Sequence, residues 1–210
     1  MNEEASSIRI LSVDDHQLIR VGIATLLMPE PDMKLVGEAN NGRDAIAKFR
    51  ELRPDVTLMD LQMPEMSGFD AILAIRNEFP GARIIVLTTY TGDVQAQRAI
   101  KAGAQAYLLK NLLHKELLNT IRTVHAGRKA ISPDIAARVA EHSGDEGLTP
   151  KEIEVLRLIA AGNANKEIAA QLSVTEETVK SRVKNILDKL SANDRTHAVT
   201  IGLKRGIIEL

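Results

Sequence analysis

The chain of 210 residues is 44% hydrophobic and 26% charged, a balance that supports packed cores and excludes a largely disordered polymer. It has no cysteine, which rules out disulfides and thiolate metal sites, and no apolar run near the roughly 18 residues of a membrane span. Net charge is −1, yet residues 1–125 hold 14 basic and 16 acidic residues while 148–210 hold 10 and 8, an asymmetry that a solvated surface explains as well as an anionic partner does.

In chain order, Met1-Asn2-Glu3-Glu4-Ala5 is acidic and lacks the basic-then-apolar order of a secretory signal, so the expected place is the cytoplasm, with no membrane partner. Short β-branched runs then alternate with amphipathic stretches. Ile8–Val13, Lys34–Ala39, Asp55–Asp60, Arg83–Thr88 and Gln105–Leu109 read as strands with helices between and after them. Runs such as Ile84-Ile85-Val86-Leu87 are apolar on both faces, as a parallel sheet covered by helices on each side requires. The expected fold class is α/β, a five-stranded doubly wound, flavodoxin-like domain over residues 1–125.

Residues 126–147 read as a linker: Ser132-Pro133-Asp134 can start a short helix, and His142–Gly147 is rich in turn formers. Residues 148–210 are expected to form a small all-α domain. Thr149-Pro150-Lys151-Glu152 is a capping box with proline at the first helical position. Helices follow near Pro150–Ala161, Lys166–Leu172, Glu176–Leu190 and Arg195–Arg205, with turns at Gly162-Asn163 and Ser173-Val174-Thr175.

In an open parallel sheet, chemistry collects at the carboxyl ends of the strands. Asp14 and Asp15 follow the first strand, Asp60 closes the third, Thr88 ends the fourth and Lys110 follows the fifth, so five polar groups are expected in one crevice. Two carboxylates about 4 Å apart repel by roughly 4 kcal/mol at an effective dielectric near 20, so a cation must sit there. Mg²⁺ suits oxygen ligands, and Asp15, Asp60 and the backbone carbonyl of Gln62 are the candidate set. Asp60 would then be a nucleophile toward a phosphoryl group whose charge Lys110 and Mg²⁺ offset. Taken singly, Asp14-Asp15 reads as a helix N-cap pair, Thr88 as a strand end, Lys110 as a surface amine and Tyr107 as a core tyrosine. Asp60, after the apolar Val56–Met59, is the hardest to explain without a partner.

On Glu176–Leu190, Val179, Val183, Ile186, Leu187 and Leu190 form one apolar stripe, which leaves Lys180, Ser181, Lys184 and Asn185 facing outward. With the short helix and tight turn before it, this is a helix-turn-helix arrangement, and the outward groups suit phosphates and base edges in a major groove.

These motifs carry a resemblance. Val13-Asp14-Asp15-His16, Leu58-Met59-Asp60-Leu61-Gln62-Met63-Pro64, Leu87-Thr88 and Lys101–Ala104 through Tyr107-Leu108-Leu109-Lys110 resemble the receiver domain of two-component response regulators over residues 8–125. Leu148–Leu156, Asn165–Ala169 and Thr178–Ile186 resemble the LuxR-type DNA-binding domain over residues 148–208. Together they place the chain with the NarL/FixJ subfamily. The resemblance implies a transcriptional regulator rather than an enzyme. It further implies that Asp60 takes a phosphoryl group from a sensor histidine kinase or a small phosphodonor with Mg²⁺, that Thr88 and Tyr107 form the switch pair beside Lys110, and that a homodimer forms on activation. Thr178, Lys180, Ser181, Arg182, Lys184 and Asn185 are then the residues expected to contact double-stranded promoter DNA, Arg182 standing where members often carry histidine. In that family the last helix pairs two DNA-binding domains.

Of three rival readings, the residues argue against the first two and leave the third for a phosphodonor to decide. A phosphatase of the aspartyl-phosphate type would show a second aspartate where Gln62 stands, a flavodoxin-like cofactor binder would not line its first loop with Asp14-Asp15, and a regulator gated by oligomerisation alone would ignore phosphodonors. His16, His114, His125, His142 and His197 show no metal-ligand spacing along the chain and receive no chemistry.

Overall fold

The computed structural model describes residues 7–89, 92–141 and 146–208, which fall into two compact units: 7–89 with 96–136, and 92–95 with 137–141 and 146–208. In the first unit β1 (Ile8–Val13), β2 (Met33–Ala39), β3 (Val56–Asp60), β4 (Ile84–Thr88) and β5 (Ala106–Leu109) lie within one residue of the expected runs. A sixth strand, β6 (Ala130–Ile131), pairs in parallel with β5, giving the order β2-β1-β3-β4-β5-β6. The expected five strands are thus corrected to six. Two residues carry no readable periodicity, and their pairing is decided by the open edge of β5 rather than by local preference.

The helices α1 (Gln17–Leu27), α2 (Gly42–Leu52), α3 (Gly68–Glu78), α4 (Asp93–Lys101) and α5 (Leu113–His125) follow the first five strands in turn. Ile23 and Leu27 of α1 and Leu117, Ile121 and Val124 of α5 share one buried cluster with Ile10, Leu58, Ile85, Leu87 and Leu108 of the sheet. The alternate residues Leu11, Val13, Met59 and Val86 point to the other face and are buried as well. Both faces of the sheet are therefore dry, and its carboxyl edge is where polar side chains emerge.

Within the segment expected to link the domains, α6 (Pro133–Glu141) follows β6 and begins at the expected proline. Of the turn-rich run His142–Gly147, residues 142–145 lie outside the described residues. The last four helices are α7 (Pro150–Ala160), α8 (Asn165–Gln171), α9 (Glu176–Leu190) and α10 (Arg195–Lys204). The α7 cap forms as expected: Thr149 Oγ1 accepts the Glu152 N–H at 3.3 Å, and a Glu152 carboxylate oxygen accepts the Thr149 N–H at 2.8 Å. Gly162 turns the chain after α7 at φ +86°, a conformation costly for residues with a Cβ. Val155, Leu156, Ile168, Val179, Ile186 and Leu190 close the core of this helical unit, with α9 packed on α7, α8 and α10. Among the described residues no helix is long and apolar enough to cross a membrane.

Candidate functional site

The carboxyl ends of β1, β3 and β5 bring Asp14, Asp60 and Lys110 together. Asp14 leaves β1 still tied to the sheet, its N–H donating to the Ala39 carbonyl at 3.1 Å, and its side chain is fully buried. Asp60 is the last residue of β3 and is buried too. Lys110 opens a 3₁₀ turn after β5, which swings its side chain back over the strand ends. Its Nζ lies 2.8 Å from Asp60 Oδ2 and 2.8 Å from Asp14 Oδ2. Both contacts stand at hydrogen-bonding distance, so one ammonium is shared between the two buried carboxylates. Asp15, next in sequence, is partly exposed at the mouth of the pocket.

The loop between β3 and α3 is pinned close to Asp60. The Gly68 N–H donates to the Leu61 carbonyl at 3.0 Å, and a Cβ at Gly68 would fall 1.9 Å from the Asp60 carbonyl oxygen. The backbone can pass this close because position 68 has no side chain. On the same loop the Gln62 N–H reaches Asp60 Oδ1 at a long 3.4 Å.

The electrostatics follow from burial and pairing. Burial pushes the Asp60 carboxyl above its ordinary value, Lys110 opposes this by hydrogen bonding and charge, and Asp14 adds to the rise. For Lys110 burial works against the ammonium, but the hydrogen bonds and charges of Asp14 and Asp60 win and hold it above its ordinary value. Three carboxylates face one ammonium, so the pocket retains excess negative charge in a partly desolvated site. Oxygen atoms of Asp14, Asp15 and Asp60, together with a ring nitrogen of His16, all lie within 4.8 Å of one another. An oxygen-rich set of three carboxylates with one lysine to offset them fits a hard divalent cation.

Thr88 ends β4 and Tyr107 lies on β5, where Val86 pairs with Tyr107 and Thr88 with Leu109. Both side chains are buried. Burial pushes the Tyr107 phenol up to about 12 against a hydrogen bond from Thr88, so the two hydroxyls meet in this structure.

On α9 the apolar stripe turns inward as expected, with Val179, Ile186 and Leu190 buried and Val183 and Leu187 packed against the same core. Lys180, Ser181, Lys184 and Asn185 are exposed, while Thr178 and Arg182 are half-buried. Thr178 is engaged at the helix start: its N–H donates to Thr175 Oγ1 at 3.2 Å, and the two hydroxyls lie 2.8 Å apart. Lys180 Nζ has Glu176 at 3.5 Å and Glu177 at 3.8 Å, both on the surface. At the other end, Lys189 Nζ reaches the buried Glu152 carboxylate at 3.1 Å and so ties α9 to the cap of α7. Together with the Thr149 N–H, this contact outweighs burial and holds the Glu152 carboxyl below its ordinary value.

Comparison with known proteins agrees with both halves. The family model for the response regulator receiver domain matches residues 10–122, and that for bacterial regulatory proteins of the luxR family matches residues 146–201. The response regulator protein VraR of Staphylococcus aureus is 37% identical over 208 residues, 97% of this chain and 100% of that one. The chain belongs to the response regulators. More narrowly it is of the LuxR/NarL type, a transcription regulator controlled by phosphorylation. A structure of RcsB from Salmonella enterica serovar Typhimurium, bound to a promoter in the presence of the phosphomimetic BeF3−, superimposes with a TM-score of 0.70 at 27% identity, covering 93% of this chain and 98% of that one. A LuxR-family response regulator from Aurantimonas sp. SI85-9A1 is 38% identical with a TM-score of 0.62, covering 66% of this response regulator and 99% of its own chain.

Proposed function

We propose that Asp60 is the phosphoacceptor of this regulator and that its phosphorylation promotes dimerisation and promoter binding through α9. The observation that supports this best is Lys110 Nζ standing 2.8 Å from both Asp60 and Asp14 at the strand ends, with Asp15 beside them. Lys110 holds Asp60 Oδ2, while Oδ1 has only the long Gln62 contact and is the freer oxygen to attack phosphorus. In that step the Asp60 O–P bond forms as the bond from phosphorus to the donor's leaving atom breaks, and Lys110 offsets charge on the equatorial oxygens. The residues that would hold Mg²⁺ are Asp15, Asp60 and the Gln62 carbonyl, with Asp14 completing the acidic pocket. When bound, Mg²⁺ would supply the positive charge that one lysine cannot.

Thr88 would then leave Tyr107 for the phosphoryl oxygens, and Tyr107 would repack, which carries the change to the surface. Lys180, Lys184 and Arg182 would meet phosphates, with Thr178, Ser181 and Asn185 toward base edges. In this reading residues 1–125 act as the receiver, 126–147 as the linker and 148–210 as the DNA-binding domain. The chain regulates rather than turns over a substrate, works in the cytoplasm, takes its phosphoryl group from a sensor histidine kinase, and binds DNA as a homodimer.

The test is acetyl phosphate or beryllofluoride with Mg²⁺, read by intact mass, light scattering and gel shift on the wild type and on Asp60→Asn. The expected result is one phosphoryl adduct, a larger particle and tighter DNA binding in the wild type alone. A phosphoryl adduct retained in Asp60→Asn, or a wild type indifferent to both reagents, overturns the proposal.

A further inference from the structure

α4 is shared between the two units: its start, with Gly92 before it, belongs with the helical unit, and from Ala96 onward it belongs with the sheet. Within the helical unit that first turn is seated on the end of α10. Arg205, the C-cap residue of α10, places Nε 3.3 and 3.2 Å from the two carboxylate oxygens of Asp93 and Nη2 3.0 Å from Oδ2. Both side chains are largely withdrawn from solvent, Asp93 at 8% exposure and Arg205 at 17%. The backbones join as well. The Val94 N–H donates to the Arg205 carbonyl at 3.2 Å, so a donor that α4 leaves open at its start meets an acceptor that α10 leaves open at its end. Gly92 passes so near that a Cβ there would fall 2.5 Å from the Arg205 carbonyl carbon and oxygen. Gly206, at φ +68°, turns the chain beneath Gln95, whose Cγ would lie 3.0 Å from a Cβ at that position.

We infer that this junction is a latch on the phosphorylation switch: the Asp93–Arg205 pair holds the segment after Thr88 in its unphosphorylated arrangement, and release of the pair favours activation. The inference rests on the reading of Thr88 as the residue that turns to the phosphoryl group. Gly92 stands only four residues beyond Thr88 in the chain. Thr88 itself is fixed from the other side, paired with Leu109 across β4 and β5. A segment this short, held at both ends, passes a displacement at one end to the other. In the structure Thr88 is hydrogen-bonded to Tyr107 while the pair is closed, so the two contacts stabilise one state. Whatever opens one of them then favours opening of the other by the same factor.

A permanent structural tie accounts for the chemistry less well. Asp93 lies in the first turn of α4 and Arg205 at the end of α10, so each complements the dipole of its own helix without the other. When the junction parts as a whole, both charges therefore return to water at helix ends that suit them. Removing one partner alone is different, because it strands the other charge in a site partly closed to solvent. That difference makes the pair a contact that separates reversibly in the intact chain and is opened by substitution at either end.

The experiment uses the full chain as wild type, Asp93→Asn, Arg205→Gln, the double variant and Gly92→Ala. Lys204→Gln, an exposed charge beside Arg205, controls for net charge. Anisotropy of a labelled duplex at one low salt concentration, with rising beryllofluoride and constant Mg²⁺, gives the half-activating concentration. Intact mass follows the rate of phosphorylation by acetyl phosphate, and circular dichroism melts check each fold. The variants of the pair should reach half-activation at about fivefold less beryllofluoride or lower still, and should phosphorylate faster than wild type. The double variant should match the larger single effect rather than their product, because both changes open one contact. Gly92→Ala alters no charge and should act in the same direction. Half-activation and rates equal to wild type or poorer in the folded variants, or gains that multiply in the double variant, overturn the latch and leave Asp60 as phosphoacceptor. A wild type that takes no phosphoryl group overturns the Asp60 reading, and the latch with it.

Discussion

The sharpest test of the DNA-facing side of α9 is its salt dependence. Lys180 is 54% exposed, and its neighbours Glu176 and Glu177 stand 3.5 and 3.8 Å away at the helix start. Surface pairs of this kind contribute at most about 1 kcal/mol, so they yield when a phosphate offers a stronger partner. Lys184, one turn on, is exposed as well. Each lysine that neutralises a DNA phosphate contributes roughly −0.9 to the slope of log K against log salt concentration. Removing two therefore flattens the slope by about 1.8 per bound domain. Between about 50 and 200 mM salt the wild type should lose roughly 12-fold more affinity than Lys180→Ala with Lys184→Ala, and about 150-fold more where both halves of a dimer engage. Fluorescence anisotropy with a labelled duplex at four salt concentrations measures both slopes. The duplex need not be a cognate promoter, because the phosphate contribution is independent of sequence. Lys34→Ala, an exposed charge on β2, controls for net charge and should leave the slope in place. Parallel slopes for wild type and double variant would refute the placement of α9 against the phosphate backbone.

Three further outcomes follow from the geometry. Because burial raises the Asp60 carboxyl above its ordinary value, the folded chain holds a proton there more firmly than the unfolded chain does, and stability is lost as pH rises through the folded value. Asp60→Asn without added metal should therefore melt higher than wild type near pH 7, with the gain fading in acid. Saturating Mg²⁺, worth about 2.7 kcal/mol at a hundredfold excess over Kd, should raise the wild-type melting point and not that of the variant. Gly68→Ala places a methyl group 1.9 Å from the Asp60 carbonyl oxygen, so urea unfolding should show a loss of about 1–3 kcal/mol together with slower phosphorylation from acetyl phosphate. Thr149→Ala removes one half of the α7 capping box and should cost about 1 kcal/mol in denaturant unfolding followed by circular dichroism, with phosphorylation unaffected.

How far these features are legible in the sequence differs by their physical origin. The first five strands are written in β-branched runs whose apolar character is local, and α7 is announced by Thr149, Pro150 and Glu152 within four residues. Asp60 and Lys110 could be placed because parallel topology sends every strand end to one edge, so chain order alone predicts which polar groups meet. By contrast, β6 is two residues whose strand character comes from the edge of β5, and no window of local sequence contains that edge. The lock of Lys189 onto Glu152 joins positions 37 residues apart, and either residue alone reads as a solvated charge.

The Thr88 and Tyr107 hydroxyls set a limit on what phosphorylation can do alone. In the structure the two are hydrogen-bonded and buried. For Thr88 to turn to a phosphoryl group it must give up a neutral hydrogen bond worth about 1 kcal/mol, and Tyr107 must move or bear an unmet hydroxyl at about 1–3 kcal/mol. Against this stands one charge-assisted bond to phosphate, about 1.5–3 kcal/mol. The surplus is at most about 2 kcal/mol, while inverting a population from 1:99 to 99:1 takes about 5.5. On the proposed reading the remainder must come from contacts that exist only in the activated state, and pairing of two chains is such a source because its contribution grows with protein concentration. Beryllofluoride should accordingly activate DNA binding fully at high protein concentration and only partly at low, with half-activation tracking the dimerisation constant measured by light scattering. Activation that is complete and independent of concentration would mean that the Thr88–Tyr107 exchange is stronger than its hydrogen bonds allow.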